Sequence, residues 1–418
     1  METVWRHETK TLDELSDLKD TNHLIRRIAA FKWCSTHYIV FEWASGGTLR
    51  DFWNQNKNVH FNLEVRQIVE FLNQLCGLAK ALSELHKTNT RTTTGIATNR
   101  ADSFAAPGRR RRVAFAPQGD ADLPEINHPG VDDEEASAKH WRHGDLKPEN
   151  ILVFPGSTWL GTLKIADLGL AKRHDFATEH RPEVTSTHHT TLHYEAPEVV
   201  ANPAREPRSR RYDIWSMGCI MLESVIWLLY GSRGLDAFYN EKARLDSHKA
   251  HTLYFTTQTQ PNNDGVPQTV ATVSDIALHW INQMLENDPE CQGDTTKDET
   301  TALGDLLRLV RDRLLIIAVP GRSGRLEPEC RADATELLQE LDSIRNQAET
   351  VDVYAFTGQP RRNLAAPRPL GSMRTIHELP KAARADNFLA VPQQRLPGSH
   401  RQEMVSAGSN FDVETNIY

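Results

Sequence analysis

Residues 143–150 read His-Gly-Asp-Leu-Lys-Pro-Glu-Asn. This one short loop offers a carboxylate, an ammonium and an amide. Asp145 can accept the proton of an attacking hydroxyl. Lys147 can neutralise a phosphate in transfer, and Asn150 brings an amide oxygen suited to a metal. Phosphoryl transfer asks for such parts: metal ions bridging the phosphates, ligands for those ions, and a base that orients the nucleophile. Mg²⁺ is hard and takes oxygen ligands, commonly one or two carboxylates with water and phosphate. A second carboxylate, Asp167, follows the extended run Leu163-Lys164-Ile165 and precedes Leu168-Gly169. At a strand end beside a glycine it is well placed to reach the same metal.

The order of further motifs is specific. After HGDLKPEN and Asp167-Leu168-Gly169 come Ala196-Pro197-Glu198 and Asp213-Ile214-Trp215-Ser216-Met217-Gly218. The series resembles the eukaryotic protein kinases, whose pattern runs H-R-D-L-x-x-x-N, D-F-G, A-P-E. The resemblance implies ATP and Mg²⁺ as cofactors, with Asp145 and Lys147 catalytic and Asn150 and Asp167 on metal and nucleotide. Residues 38–49, YIVFEWASGGTL, resemble the hinge that bonds adenine through its backbone. Phe41 would be the gatekeeper, Glu42 to Ala44 the hinge, and Leu152 would lie under the adenine. Arg331 stands where the family's late arginine pairs with the APE glutamate, here Glu198. DIWSMG resembles the DxWxxG start of the family's buried helix, which would anchor the catalytic loop. Lys147 and Thr191 match the Ser/Thr branch, so the implied substrate is a protein serine or threonine. Glu8, in WxxExxxLxxL, resembles the family's αC glutamate, though a solvated glutamate near a helix start fits as well. His188, His189 and His193 read as unligated loop histidines, not as a metal site.

The elements that must hold these residues are visible as periodicity. Trp5, Glu8, Leu12 and Leu15 fall at helical spacing. Two extended runs follow at 24–33 and 37–43, the second closed by Ser45-Gly46-Gly47. A helix is predicted over 63–86, because Ile68, Leu72, Leu75, Ala79 and Leu82 share one face. Short strands are predicted at 150–154 and 163–165. The run 212–230 is apolar nearly all round and predicts a buried helix. Helical segments continue over 273–348 and close with 331–344. Residues 88–139 carry a basic run at 109–112 and an acidic run at 132–135, and are predicted to be a disordered insertion. The tail, 349–418, is proline-rich and without periodicity, and is also predicted to be disordered. The fold class expected is α+β: a kinase-like two-lobed domain over 1–348. Within it, 1–44 would be a partial small β lobe with the hinge, and 45–348 a mainly α-helical large lobe.

Composition narrows the function classes. The net charge is -8 and the sequence pI about 6.1, a poor match to nucleic-acid binding, which needs a basic face. No run approaches the ~18 consecutive apolar residues of a membrane span; the longest, 219–230, is broken by Glu223 and Ser224. Five dispersed cysteines without a CxxC pair point to free thiols in a reducing compartment, hence cytoplasm or nucleus. A protein substrate is the partner implied, with regulatory partners on the insertion and tail, and neither nucleic acid nor membrane.

Three departures from the kinase pattern stand out. Gly144 replaces the arginine of HRD, which argues against activation-loop phosphorylation as the main switch; Thr185, Ser186 and Thr187 are the candidate phosphosites there. Leu168 replaces the phenylalanine of DFG. The GxGxxG loop and the VAIK lysine, which precede αC in the family, are not in this sequence, and Lys10 and Lys32 do not have their spacing. The expectation is an N-terminally truncated kinase, with a pseudokinase interaction module as the alternative. Small-molecule phosphotransferases share HGDxxxxN but lack the APE and DxWxxG segments found here.

Overall fold

The computed structural model describes residues 9, 12, 22–61, 63–86, 141–168, 192–201, 209–244, 254–261, 265, 267–293, 299–319, 330–358, 365–370 and 389–392. The expected insertion at 88–139, Glu8, Lys10 and the segment holding Thr185 to Thr191 lie outside them. The chain is a mixture of helix and strand. Strands β1 (Arg27–Trp33) and β2 (Thr36–Phe41) form an antiparallel hairpin. Helix α1 (Leu49–Gln55) follows, capped by Thr48, and then α2 (Val65–His86). Strands β3 (Ile151–Phe154) and β4 (Thr162–Ile165) form a second antiparallel pair. Both hairpins and α2 fall within a few residues of the predicted positions.

Helix α3 (Arg211–Arg244) is the spine of the core. From Tyr212 to Leu229 nearly every side chain is buried, as predicted from its all-round apolar character. It is the one described helix long and apolar enough to cross a membrane, and that stretch is wholly buried inside the protein. The predicted end at Tyr230 has a structural cause. Gly231 leaves the helical region (φ 67°), and Lys57 O approaches to 2.2 Å from where a Cβ would stand. Ser232 N–H then donates to the same Lys57 carbonyl at 3.1 Å. Only glycine allows this close approach in a left-handed backbone.

Helices α4 (Asp275–Asn287), α5 (Ala302–Leu309) and α6 (Ala334–Thr350) complete the helical body. Helix α6 packs along α2. It starts three residues later than the predicted 331, because Asp333 caps it. The Asp333 carboxylate accepts from Thr335 and Glu336 N–H at 2.9 and 3.0 Å, and Glu336 accepts from Asp333 N–H at 2.7 Å. The reciprocal pair satisfies donors that a helix start leaves open. The sequence reading had no strand between 231 and 272. A hairpin, β5 (Phe255–Pro261) and β6 (Pro267–Val273), is found there, with a third strand, β7 (Leu389–Pro392), on β6.

The tail prediction needs correction. Beyond 349 the helical turn Asp352–Ala355 buries Tyr354 and Ala355. Tyr354 donates to Asp305 at 2.8 Å, and Thr357 donates to the buried Glu290 through its N–H at 2.7 Å. His279 donates to Arg368 O at 2.7 Å, and Leu370 N–H donates to the buried Glu241. These stretches, with β7, are ordered against the helical body. The cause is pairing of backbone groups with buried polar side chains, which composition does not register.

Arg331 is fully buried and binds Glu198 with a fork, at 2.9 and 3.0 Å. Its other N–H groups reach Arg211 O at 2.9 Å and Ile316 O at 2.8 Å, and it lies 5.0 Å over the Trp215 ring. Removing one partner of such a pair strands the other charge. Arg331→Ala should therefore cost about 3–5 kcal/mol in urea unfolding. Arg331→Lys should recover only part of that, because an ammonium cannot fork. Wild-type stability in either variant would contradict this.

His23 ties the start of the described chain to α2 and β4. Its Nδ1–H donates to Leu163 O at 2.7 Å, and its ring lies against Gly77, where a Cβ would meet it at 2.1 Å. Burial pushes its pKa below the ordinary histidine value; the bond to Leu163 opposes this, and the charges of Lys164 and Lys80 add to it. The unfolded chain therefore takes up this proton first as pH falls through about 6.5. His23 thus favours the folded state above that value, and this stability is lost on acidification. The urea midpoint should fall between about pH 7.5 and 5.5, and His23→Gln should flatten the slope. Parallel slopes would remove His23 from this role.

Candidate active site

The loop at 143–150 is held from three sides. At its base, Asp213 in the first turn of α3 is fully buried. Its carboxylate accepts from His143 N–H and Gly144 N–H, and from His86 Nε2–H at the end of α2, each at 2.8 Å. Burial alone would push the Asp213 carboxyl up. The bond and charge of His86 and the bond from Gly144 together hold it below the usual carboxylate range. Two loop amides are thus fixed by one charge. The sequence places Asp213 at the start of the helix expected to anchor the loop, but gives no sign of His86, which carries no local motif.

From the side, His143 Nε2–H donates to Ala166 O at 2.7 Å, and Asp145 N–H donates to His143 Nδ1 at 3.2 Å. These two partners assign the ring proton to Nε2. Ala166 N–H donates to Asn150 O at 2.8 Å. Both ends of the loop are therefore stitched to the residue just before Asp167. Asp167 itself is exposed and stands at φ 59°, a left-handed conformation costly for a non-glycine residue. Strain of this kind persists where surrounding structure enforces it.

Within the loop, Lys147 Nζ lies 2.8 Å from Asp145 Oδ2, and Asn150 Nδ2 donates to Asp145 O at 2.8 Å and to Oδ2 at 3.2 Å. Asp145 and Asn150 are both nearly buried. The turn Pro148–Asn150 leads directly into β3. The structure thus brings Asp145, Lys147 and Asn150 together and sets Asp167 beside them in the chain path.

Gly144 has a local reason. Its φ is +80°, and a Cβ there would lie 3.3 Å from Arg142 Nε. The Arg142 guanidinium, buried and 5.2 Å over the Tyr212 ring, fills the space where a side chain at 144 would begin.

Residues 42–44, the expected hinge, lie between β2 and the turn at Gly46-Gly47. Glu42 points its carboxylate at Lys164 Nζ, at 2.7 Å, and accepts from Arg26 N–H at 3.2 Å. Ala44 O accepts from Gly47 N–H at 3.1 Å. Leu152, half-buried on β3, is the register partner of Lys164 on β4. Lys164 therefore gathers Glu42 and Leu152 at one place, a link with no signal in the sequence. Lys32 is exposed on β1. His193 is half-buried in the turn Leu192–Tyr194, and Leu168 is buried, as an apolar replacement should be. The described residues hold no group of three or more His, Cys, Asp or Glu side chains able to bind a metal.

Comparison with known proteins points the same way as the geometry. Residues 138–292 match the family model described as the protein kinase domain. A glycogen synthase kinase-3 homolog of Saccharomyces cerevisiae is 41% identical over 83 residues, 20% of each chain. Cyclin-dependent kinase 4 of Ovis aries is 43% identical over 81 residues, 19% of this chain and 23% of its own. Cyclin-dependent kinase 2 of Caenorhabditis elegans is 43% identical over 82 residues, 19% of each. These matches span about a fifth of the relatives' length. Over the segment that holds Asp145, Asn150, Asp167 and Asp213, the chain resembles the eukaryotic Ser/Thr protein kinases.

Proposed function

We propose that this chain carries the catalytic region of a protein Ser/Thr kinase, moving the γ-phosphate of ATP to a serine or threonine hydroxyl of a protein. The observation that carries this is the Asp145–Lys147–Asn150 cluster, stitched through Ala166 to the strand end bearing Asp167. Asp145 would accept the hydroxyl proton. Its Oδ2 is already engaged by Lys147 and Asn150, which fixes its orientation. Lys147 would place a positive charge beside the phosphate in transfer. Asn150 spends its NH₂ on Asp145 at 2.8 and 3.2 Å, so its amide oxygen, the group a hard cation takes, is the part left over. That oxygen and the exposed Asp167 carboxylate fit Mg²⁺, and are the residues that would hold it. Mg²⁺, when bound, would neutralise charge on the phosphates. The backbone of Glu42 to Ala44, with Leu152, would receive the adenine. Cytoplasm or nucleus is the proposed location, with regulatory partners on 88–139 and the tail.

A second reading is favoured by one observation. The β1–β2 hairpin leaves Ile28 67% and Trp33 69% exposed, and Trp43, just after β2, is 86% exposed. A chain so built could bind a partner without catalysis, as a pseudokinase.

Two measurements separate the readings. Mg-ATP should raise the melting midpoint of the chain, and an absent shift would favour the pseudokinase. Asp145→Asn should abolish phosphate transfer to a protein substrate, a loss of at least about 10²-fold, while leaving the melting midpoint within a few degrees. Undiminished turnover would remove Asp145 from the mechanism.

A further inference from the structure

Glu223, on the inner side of α3, is 1% exposed. Burial pushes its carboxyl up, while Arg50 and the surrounding tyrosine hydroxyls pull it back. Its counter-charge comes from α1, far away in the chain. Arg50, in the first turn of α1, places Nη2 3.3 Å from Glu223 Oε2 and donates from Nε to Glu149 Oε1 at 3.1 Å. The hydroxyls of Tyr194 and Tyr239 accept from the same guanidinium. Tyr194 and Tyr254 in turn donate to Glu223 at 2.8 and 2.6 Å. The guanidinium also lies 5.0 Å over the Trp53 ring and 5.2 Å over the Tyr239 ring. Burial works against the charge of Arg50, but Glu223, the two tyrosines and Glu149 outweigh it and push its pKa up.

Two carboxylates, phenolic oxygens and aromatic faces are what a guanidinium group selects. Two features fit a binding place beyond a structural ion pair. It opens to solvent: the Arg50 side chain is 22% and that of Glu149 37% exposed. It also has acceptor capacity that Arg50 does not use, since Glu149 Oε2 is buried and accepts no hydrogen bond among the described residues. The site adjoins the reacting groups, because Glu149 sits between Lys147 and Asn150 in the turn Pro148–Asn150.

We propose that Arg50 is a built-in occupant of a guanidinium site beside the catalytic loop, and that it closes this site to arginine side chains of the acceptor polypeptide. Calling that polypeptide a substrate rests on the kinase reading above; the site itself does not. A tethered arginine competes with an incoming one at the high effective concentration of an intramolecular partner. The chain would therefore bind arginine-containing segments no better than neutral ones. Removing Arg50 leaves Glu223 buried without a cation, ready for one from solution.

The test uses the full chain as wild type and Arg50→Ala. Melting midpoints are read with ethylguanidinium at about 10 mM, against ethylammonium as a cation without the fork. Arg50→Ala should melt lower than wild type. Ethylguanidinium should restore several degrees to the variant and nothing to wild type, and ethylammonium should restore less. Serine peptides carrying a single arginine, scanned across positions on both sides of the serine, are then titrated by fluorescence anisotropy. At one or more positions the arginine peptide should bind the variant at least about tenfold tighter than it binds wild type, while its alanine counterpart binds both alike. Equal responses of variant and wild type to ethylguanidinium, or equal arginine-peptide affinities, would overturn the proposal. If Arg50→Ala does not fold, Arg50→Gln is read the same way. Neither readout involves phosphate transfer, so a catalytically silent chain still tests the site.

Discussion

The loop at 143–150 depends on the buried carboxylate of Asp213. A charge without solvent must be repaid by hydrogen bonds of good geometry. Here the donors are two consecutive amides of the loop and the imidazole that ends α2. Satisfying one side chain thus joins the core helix, the long helix packed beside it and the loop whose residues would do chemistry. The loop's position follows from electrostatic need, and its conformation from the left-handed backbone at Gly144.

The same device recurs along the core. Glu223 collects Arg50, Tyr194 and Tyr254; Glu241 collects Trp280 and Leu370; Glu290 collects Thr357. Each acid sits on a helical segment and draws donors from remote parts of the chain. Apolar packing around α3 supplies non-directional attraction. The buried acids supply the directional part, fixing which turn or tail segment lies where. The fork between Arg331 and Glu198 extends this to the segment before α3.

The β1–β2 hairpin follows a different logic. Two strands alone are marginal in water, and this pair exposes large apolar side chains. It is tied to the rest at a few points. Ile25 N–H donates to Ile165 O at 2.8 Å, and Glu42 meets Lys164 at 2.7 Å. Those ties end on β4, the strand that delivers Asp167. The hinge and the metal-ligand candidate therefore share one support.

The sequence by itself determined what short-range chemistry and periodicity can specify. The loop at 143–150, the aspartate at 167, the hairpin near 27–41, α2 and the buried run ending at Tyr230 were all legible, because each is written in neighbouring residues. The Glu198–Arg331 pair was legible only through family resemblance. Tertiary structure decided the rest. It brought Lys164 to Glu42, Arg142 into the space beside Gly144, Arg50 to Glu223, and the residues after 349 onto Glu290 and Glu241. None of these has a local pattern, because the partners are far apart in the chain. A buried acid dictates that a donor must come, and only the packed fold decides which one arrives.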